Sequence, residues 1–249
     1  MTSEALVVDV SRDWATACDV QQRFMQGLDR GAGTLDYSAR CRQLRALGGD
    51  CYDFSPLVDR CLALTIGDAS GHGLASALMI SNVQSSLRTA AWLSGNNLAV
   101  ALEAVNRQVY TSSLEDRHAT LFYGVLDQGT RTLQYVNAGH APPMVLRRDG
   151  SVIWLRAGGL PVGMFPRASY EQNAVELDPG DLVVAYTDGV TEAISPAGEE
   201  WGVDGLLKAA TVSATQSAEG IVSAIFASMD EFSRGRQTDD ATVVVLRVH

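Results

Sequence analysis

Few cysteines, few basic residues and no long apolar run mark this 249-residue chain, and each shortage removes a class of explanation. The four cysteines, Cys18, Cys41, Cys51 and Cys61, contain no C-x-x-C pair and no zinc-type spacing. Neither a disulfide framework nor a zinc finger is expected, and all four are read as packing residues. None opens the C-x5-R run of a cysteine-dependent phosphatase, and no G-x-x-x-x-G-K-[ST] nucleotide loop is present. No apolar stretch reaches the roughly 20 residues of a membrane-spanning helix. The opening MTSEALVVDVSRDW lacks the basic-then-apolar order of a secretory leader, so a cytoplasmic protein without membrane contact is expected. Against 29 acidic residues stand only 19 basic ones, a net charge of −10 that disfavours nucleic acid or anionic lipid as the main partner.

At 46% hydrophobic residues there is ample material for a core. No linker, internal repeat or low-complexity segment interrupts it. Ala17, Val20, Phe24 and Leu28 recur at helical spacing, predicting a helix over 12–30 that Gly31 and Gly33 end. Strands are predicted at 35–41, 44–52 and 61–67, the last (CLALTIG) apolar enough to be central in a sheet. Helices follow at 74–92 and 97–112. The run HATLFYGVLDQGTRTLQYVNAG reads as a hairpin turning at 128–130, and PMVLRRDGSVIWLR as another through Asp149-Gly150. Strands at 170–177 and 181–187, helices at 202–210 and 216–232, and the terminal strand ATVVVLRV complete the pattern. Adjacent hairpins without βαβ alternation predict an α+β layered sandwich of antiparallel sheets with helices outside.

Four aspartates sit where strands run into turns: Asp50 in LGGDCYDF, Asp68 in LTIGDASGHG, Asp188 in VVAYTDGV and Asp239 in QTDDATVVVLRV. A carboxylate so placed is rigid yet faces solvent. If the fold gathers several of them, like charges about 4 Å apart cost roughly 1–4 kcal/mol per pair near a protein surface. Such a cluster calls for a cation, and a divalent-metal site is the reading. Asp188-Gly189 is also an ordinary turn dipeptide, and Asp53 is a further candidate that could simply cap a turn. Asp53 lies three residues from Asp50, so a strand directs the two to opposite faces. Asp239 and Asp240 are adjacent, and in a strand only one points inward.

The strings GGDCYDF, GDASGHGLASALM, ATLFYGVLD, NAGHAPPMVLR, GLPVGM, YTDGVTEA and TDDATVVVLRV occur in the order and approximate spacing of a known family. The chain resembles the SpoIIE/RsbU branch of PPM-type, protein phosphatase 2C-like, serine/threonine phosphatases over roughly residues 15–248. The resemblance implies an α-β-β-α sandwich of two mainly antiparallel sheets, with residues 31–249 as the phosphatase domain and 1–30 as an N-terminal helical segment. It implies two Mg²⁺ or Mn²⁺ ions at one edge between the sheets, which suits an all-oxygen ligand set. By the same analogy Asp68 bridges both ions beside the carbonyl of Ala69, Asp188 and Asp239 hold one ion, and Asp50 holds the other partly through water. The alignment favours Asp239 over Asp240.

Two metals would generate a water nucleophile and draw in phosphate oxygens, so no phosphoenzyme is needed. His72 is a candidate proton donor to the leaving seryl oxygen, set against a loop-packing role. His140 is read as structural. Arg40 and Arg42 share a strand face before Asp50, but this branch usually lacks a phosphate-holding arginine there, and phosphate capture is left to the metals. Gly48-Gly49-Asp50 superficially resembles the GG[DE]EF signature of cyclic-dinucleotide cyclases, which Cys51-Tyr52 break. The implied substrate is a phosphorylated STAS-type anti-sigma-factor antagonist in bacterial partner-switching. The N-terminal helix either couples regulation and homodimerisation to the domain or packs on its own domain. The alternative from another class is an inactive pseudophosphatase serving as a binding module, against which the filled acidic positions argue.

Overall fold

In the computed structural model, residues 3–25, 35–95, 97–113 and 116–249 are described. Along the chain run α1 (Ser3–Phe24), β1 (Leu35–Arg42), β2 (Asp50–Pro56), β3 (Cys61–Ala69), α2 (Leu74–Ser94), α3 (Leu98–Ser112), β4 (Ala119–Asp127) and β5 (Thr132–Ala138). There follow β6 (Met144–Leu146), β7 (Val152–Trp154), β8 (Gly158–Gly159), β9 (Asn173–Glu176), β10 (Leu182–Tyr186), α4 (Asp188–Thr191), α5 (Gly202–Val212), α6 (Ala218–Ser233) and β11 (Ala241–Val248). One sheet is ordered β1-β11-β10-β6-β7 and the other β2-β3-β4-β5-β8, with β9 also pairing β5. All ladders are antiparallel except β5 with β8.

Strand parity builds the layers, because successive side chains leave a strand on opposite faces. From β3 and β4, Leu62, Leu64, Ile66, Phe122 and Leu126 meet Val183, Ala185, Val244 and Leu246 of the opposite sheet. The odd-numbered neighbours Ala63, Leu121, Tyr123 and Val125 turn outward under α2 and α3. On the other sheet Leu182, Val184, Val243 and Val245 turn outward under α5 and α6. The result is the predicted order helix, sheet, sheet, helix.

Three sequence expectations are corrected. The segment 44–49 is loop rather than strand, because the N–H groups of Leu44 and Gly49 go to the Asp240 carboxylate at 2.6 and 2.7 Å instead of to a neighbouring strand. The first helix begins at Ser3 rather than 12, no glycine or proline interrupting 3–24; its expected end at Gly31 and Gly33, and Leu28, lie outside the described residues. Its docked face is also different. Gln21 and Met25 are buried whereas Val20 is 50% exposed.

Candidate active site

The inter-sheet core is apolar along most of its length and turns polar at one edge. Asp50, Asp68 and Thr120 continue the inward-facing parity of Phe54, Ile66 and Phe122 on their strands, while Thr187 and Thr242 continue that of Ala185 and Val244. Asp50 and Asp68 are direct cross-strand partners. Asp188 opens α4 just after β10, and Asp239 lies two residues before β11, so the antiparallel pairing of β10 with β11 brings these two strand ends together. Gly189 permits the approach: a Cβ there would collide with the Asp240 carbonyl and sit 3.3 Å from the Asp239 Cβ.

Electrostatics tie the four carboxylates together. Asp68 is pushed up to about 7 by burial and then by Asp188, Asp239 and Asp240. Asp188 is raised by burial and by Asp239. Asp50, only 2% exposed, is also raised, by burial and by Asp68, although the hydroxyls of Thr242 and Thr187 donate to its Oδ2 at 2.6 and 2.8 Å and pull the other way. No basic side chain is among the causes of any of these shifts. Glu192, four residues on from Asp188, is raised first by Asp188 and joins the rim of the cluster.

The glycines of LGGD make room for this chemistry. A Cβ at position 49 would lie 3.0 Å from the Ala69 carbonyl oxygen and 3.3 Å from Asp68 Oδ1, and one at 48 would lie 2.6 Å from Asp240 Oδ2. The Ala69 carbonyl therefore opens onto the same small space as the Asp68 carboxylate.

Two secondary candidates are engaged elsewhere. Asp240 is buried and spends both oxygens on the N–H groups of Leu44 and Gly49. Asp53 faces the opposite side of β2, where Arg88 of α2 donates to both its oxygens at 2.7 and 2.8 Å. His72 lies exposed in the turn entering α2, whose Ser70 carbonyl is held by Arg117. Thr187, Thr242 and Glu192 escaped the sequence reading. The signal for the threonines was in YTDG and TDDAT: a strand threonine beside a metal-type aspartate, in the parity that faces the other sheet.

All donors in the cluster are carboxylates or carbonyl oxygens, the set that hard divalent ions select, and no basic side chain is among the groups that shift them. Among the described residues, no three His, Cys, Asp or Glu side chains close on one point as a ready metal cage. The set fits Mg²⁺ or Mn²⁺, which keep several waters and need only one or two direct carboxylates each.

The sequence profile of the family described as Stage II sporulation protein E (SpoIIE) matches residues 58–249. Protein IcfG of Synechocystis is 30% identical over 70% of this chain, and the chain spans only 32% of that protein's length. Phosphoserine phosphatase RsbU of Bacillus subtilis is 26% identical over 99% of this chain and 73% of its own. Among solved structures, the SiaA-PP2C domain of Pseudomonas aeruginosa superposes with a TM-score of 0.84 at 21% identity, covering all of both chains. Two structures of the same fold carry metal. RsbX in complex with magnesium has a TM-score of 0.64 at 16% identity, over 88% of this chain and 98% of its own. The catalytic domain of PstP with two manganese ions has a TM-score of 0.63 at 18% identity, over 86% and 98%.

Proposed function

Since the chain belongs to the SpoIIE family of PPM-type phosphatase domains, we propose that it is a metal-dependent protein serine/threonine phosphatase. The observation that carries the reading is the gathering of carboxylates at the inter-sheet edge, where Asp50, Asp68 and Asp188 are each raised by burial and by a neighbouring carboxylate, with no basic side chain among the causes. In this reading Asp68, the Ala69 carbonyl, Asp188, Asp239 and Asp50 would hold two divalent ions. Two such ions, when bound, supply a water nucleophile at neutral pH and Lewis acidity toward the phosphoryl oxygens.

The chain's own residues set up that chemistry. Thr187 and Thr242 fix one oxygen of Asp50 and leave the other for the site. Asp240 anchors the 44–49 loop, so Gly49 stays close to Asp68 and Ala69.

The substrate in this proposal is a phosphoserine or phosphothreonine on a STAS-type anti-sigma-factor antagonist, in keeping with a relative named as a phosphoserine phosphatase. The N-terminal helix is the proposed regulatory and homodimerising element. Trp14 and Val20 are exposed on it, while buried Gln21 exchanges hydrogen bonds with both backbone groups of Gly48, two residues from Asp50.

The test is Mn²⁺-dependent release of phosphate from p-nitrophenyl phosphate and from a phosphoserine peptide, with Asp68→Asn as the control. Activity that rises with Mn²⁺ and falls at least about 100-fold in the variant is expected, the loss coming from metal-centred chemistry. The second reading, a binding module without catalysis, draws on the lack of a closed three-ligand cage among the described residues. It predicts a wild-type rate no higher than that of Asp68→Asn at saturating Mn²⁺.

A further inference from the structure

Asp50 and Asp68 are ladder partners, so the next pair along the two chains is Gly49 with Ala69. A hydrogen-bonded antiparallel pair exchanges two bonds, N–H to carbonyl in each direction. One of them is made, from the Ala69 N–H to the Gly49 carbonyl at 3.0 Å. The other is diverted: the Gly49 N–H turns to Asp240 Oδ2 at 2.7 Å. Its regular acceptor, the Ala69 carbonyl oxygen, is thereby released from the ladder at a residue that is fully buried. The released oxygen lies beside Asp68 Oδ1, a Cβ at position 49 being 3.0 Å from the one and 3.3 Å from the other.

Toward β4 a second diversion follows one residue later. The ladder of β3 with β4 ends at Ala69 opposite Ala119, which sets Ser70 opposite His118. The Ser70 N–H donates to the His118 carbonyl at 2.9 Å, but the returning His118 N–H goes to Ser70 Oγ at 3.1 Å and not to the Ser70 carbonyl. That carbonyl accepts instead from Arg117 Nη1 at 2.5 Å and from Ser76 Oγ at 3.2 Å. The nitrogen, hydroxyl and carbonyl of Ser70 are all engaged. Gly71, at a φ of +85°, leaves the guanidinium its room, because a Cβ there would collide with Arg117 Nη1. Ala69 C=O and Ser70 N–H belong to one planar trans peptide, so the bond that fixes the N–H also fixes the direction of the carbonyl.

We propose that Ser70 is a positioning residue, clamped by Arg117, that keeps the Ala69 carbonyl turned toward the cation site after Asp240 has taken its ladder donor. The oxygens of Ser70 are spent on His118, Arg117 and Ser76, and none is offered to an ion. The inference rests on the phosphatase reading above for the presence of the cation. Groups that orient metal ligands without binding the ion typically change metal affinity about 10–100-fold when removed.

Ser70→Ala removes the acceptor of the His118 N–H, Arg117→Met removes the donor to the Ser70 carbonyl while keeping a long side chain, and Ser70→Thr keeps the hydroxyl. In Mn²⁺ calorimetry the first two are each expected to weaken uptake about tenfold, and Ser70→Thr to stay within about threefold of wild type. Combined, Ser70→Ala and Arg117→Met should lose little more than the worse single variant, because one clamp is being removed twice. A spectroscopic reading follows the carbonyl itself. With carbon-13 in the alanine carbonyls and nitrogen-15 in the serines, the signal of the Ala69-Ser70 peptide is assigned by its absence in Ser70→Thr. It should shift when Mg²⁺ is added to the wild type, need about tenfold more Mg²⁺ in Arg117→Met, and stay in place in Asp68→Asn. A contact that only packs the turn would move neither titration. Folded Ser70→Ala and Arg117→Met variants that take up Mn²⁺ as the wild type does overturn the inference and leave the phosphatase reading standing. So does an Ala69 carbonyl that ignores Mg²⁺ while uptake dependent on Asp68 proceeds. Absence of uptake by the wild type brings down both.

Discussion

Asp68 bears the repulsion of its neighbours in its own titration, which makes it the residue with the sharpest consequences. Its carboxyl is raised to about 7 by burial, Asp188, Asp239 and Asp240, against about 3.9 in an unfolded chain. A carboxyl raised on folding contributes stability that is fully present below the unfolded value and is lost as pH rises through the folded one. The metal-free protein should therefore melt at a lower temperature at pH 8 than at pH 5.5. Asp68→Asn should flatten that slope and stabilise the metal-free protein at pH 8 by roughly 2–4 kcal/mol, the upper figure being the full shift and the lower one allowing for solvent screening, read by thermal unfolding in chelator. Mn²⁺ should reverse the order, stabilising the wild type and not the variant. At His72 the chemistry separates by leaving group. Nitrophenolate leaves without a proton and a seryl oxygen does not, so a proton donor's loss would be felt far more on a phosphoserine peptide. The imidazole is exposed, and His72→Ala is expected to slow both substrates equally and by less than about fivefold.

Among the elements, α1 and the strand ends decide how the site is held. Gln21 grips the carbonyl and N–H of Gly48, and Phe24 at the helix end gives its carbonyl to Gln84 and Arg88 of α2. Gln21→Ala strands two buried backbone groups beside Asp50. It should destabilise the protein by about 1–3 kcal/mol and lower Mn²⁺ affinity, whereas Val20→Ala on the exposed side should leave the monomer's stability within about 0.5 kcal/mol, both measured by denaturant unfolding and calorimetry. Strand elements were legible wherever their own parity carried the signal: β3, β4 and β11 are near-continuous apolar runs, and the three-residue offset of Asp53 from Asp50 already implied opposite faces. What escaped was set by distant partners. The loop at 44–49 owes its shape to Asp240, almost 200 positions later, and β8 is only Gly158–Gly159 laid against Asn137 and Ala138. No local pattern announces either. The four-residue α4 was hidden for the same reason, although Asp188 at its start was not.

At the level of the whole molecule, the two sheets act as a frame that carries chemistry only at one edge. Three apolar layers hold the frame, and the polar residues left over inside it, Asp50, Asp68, Thr120, His140, Thr187 and Thr242, collect at that edge. Sequence order told which aspartates belong to the cluster, because each closes or opens a strand in motifs shared with a family. Its choice of Asp239 as the inward one of the adjacent pair is overturned: Asp240 is the buried one, held by the N–H groups of Leu44 and Gly49, and Asp239 is exposed. The excess of acid, −10 overall, is in part concentrated where cations are wanted. Anomalous scattering from crystals grown with Mn²⁺ tests the central claim most directly. Two manganese peaks flanking Asp68, with Asp188 and Asp239 on one of them, are the predicted result; crystals of active protein with no manganese within reach of Asp68 would contradict it.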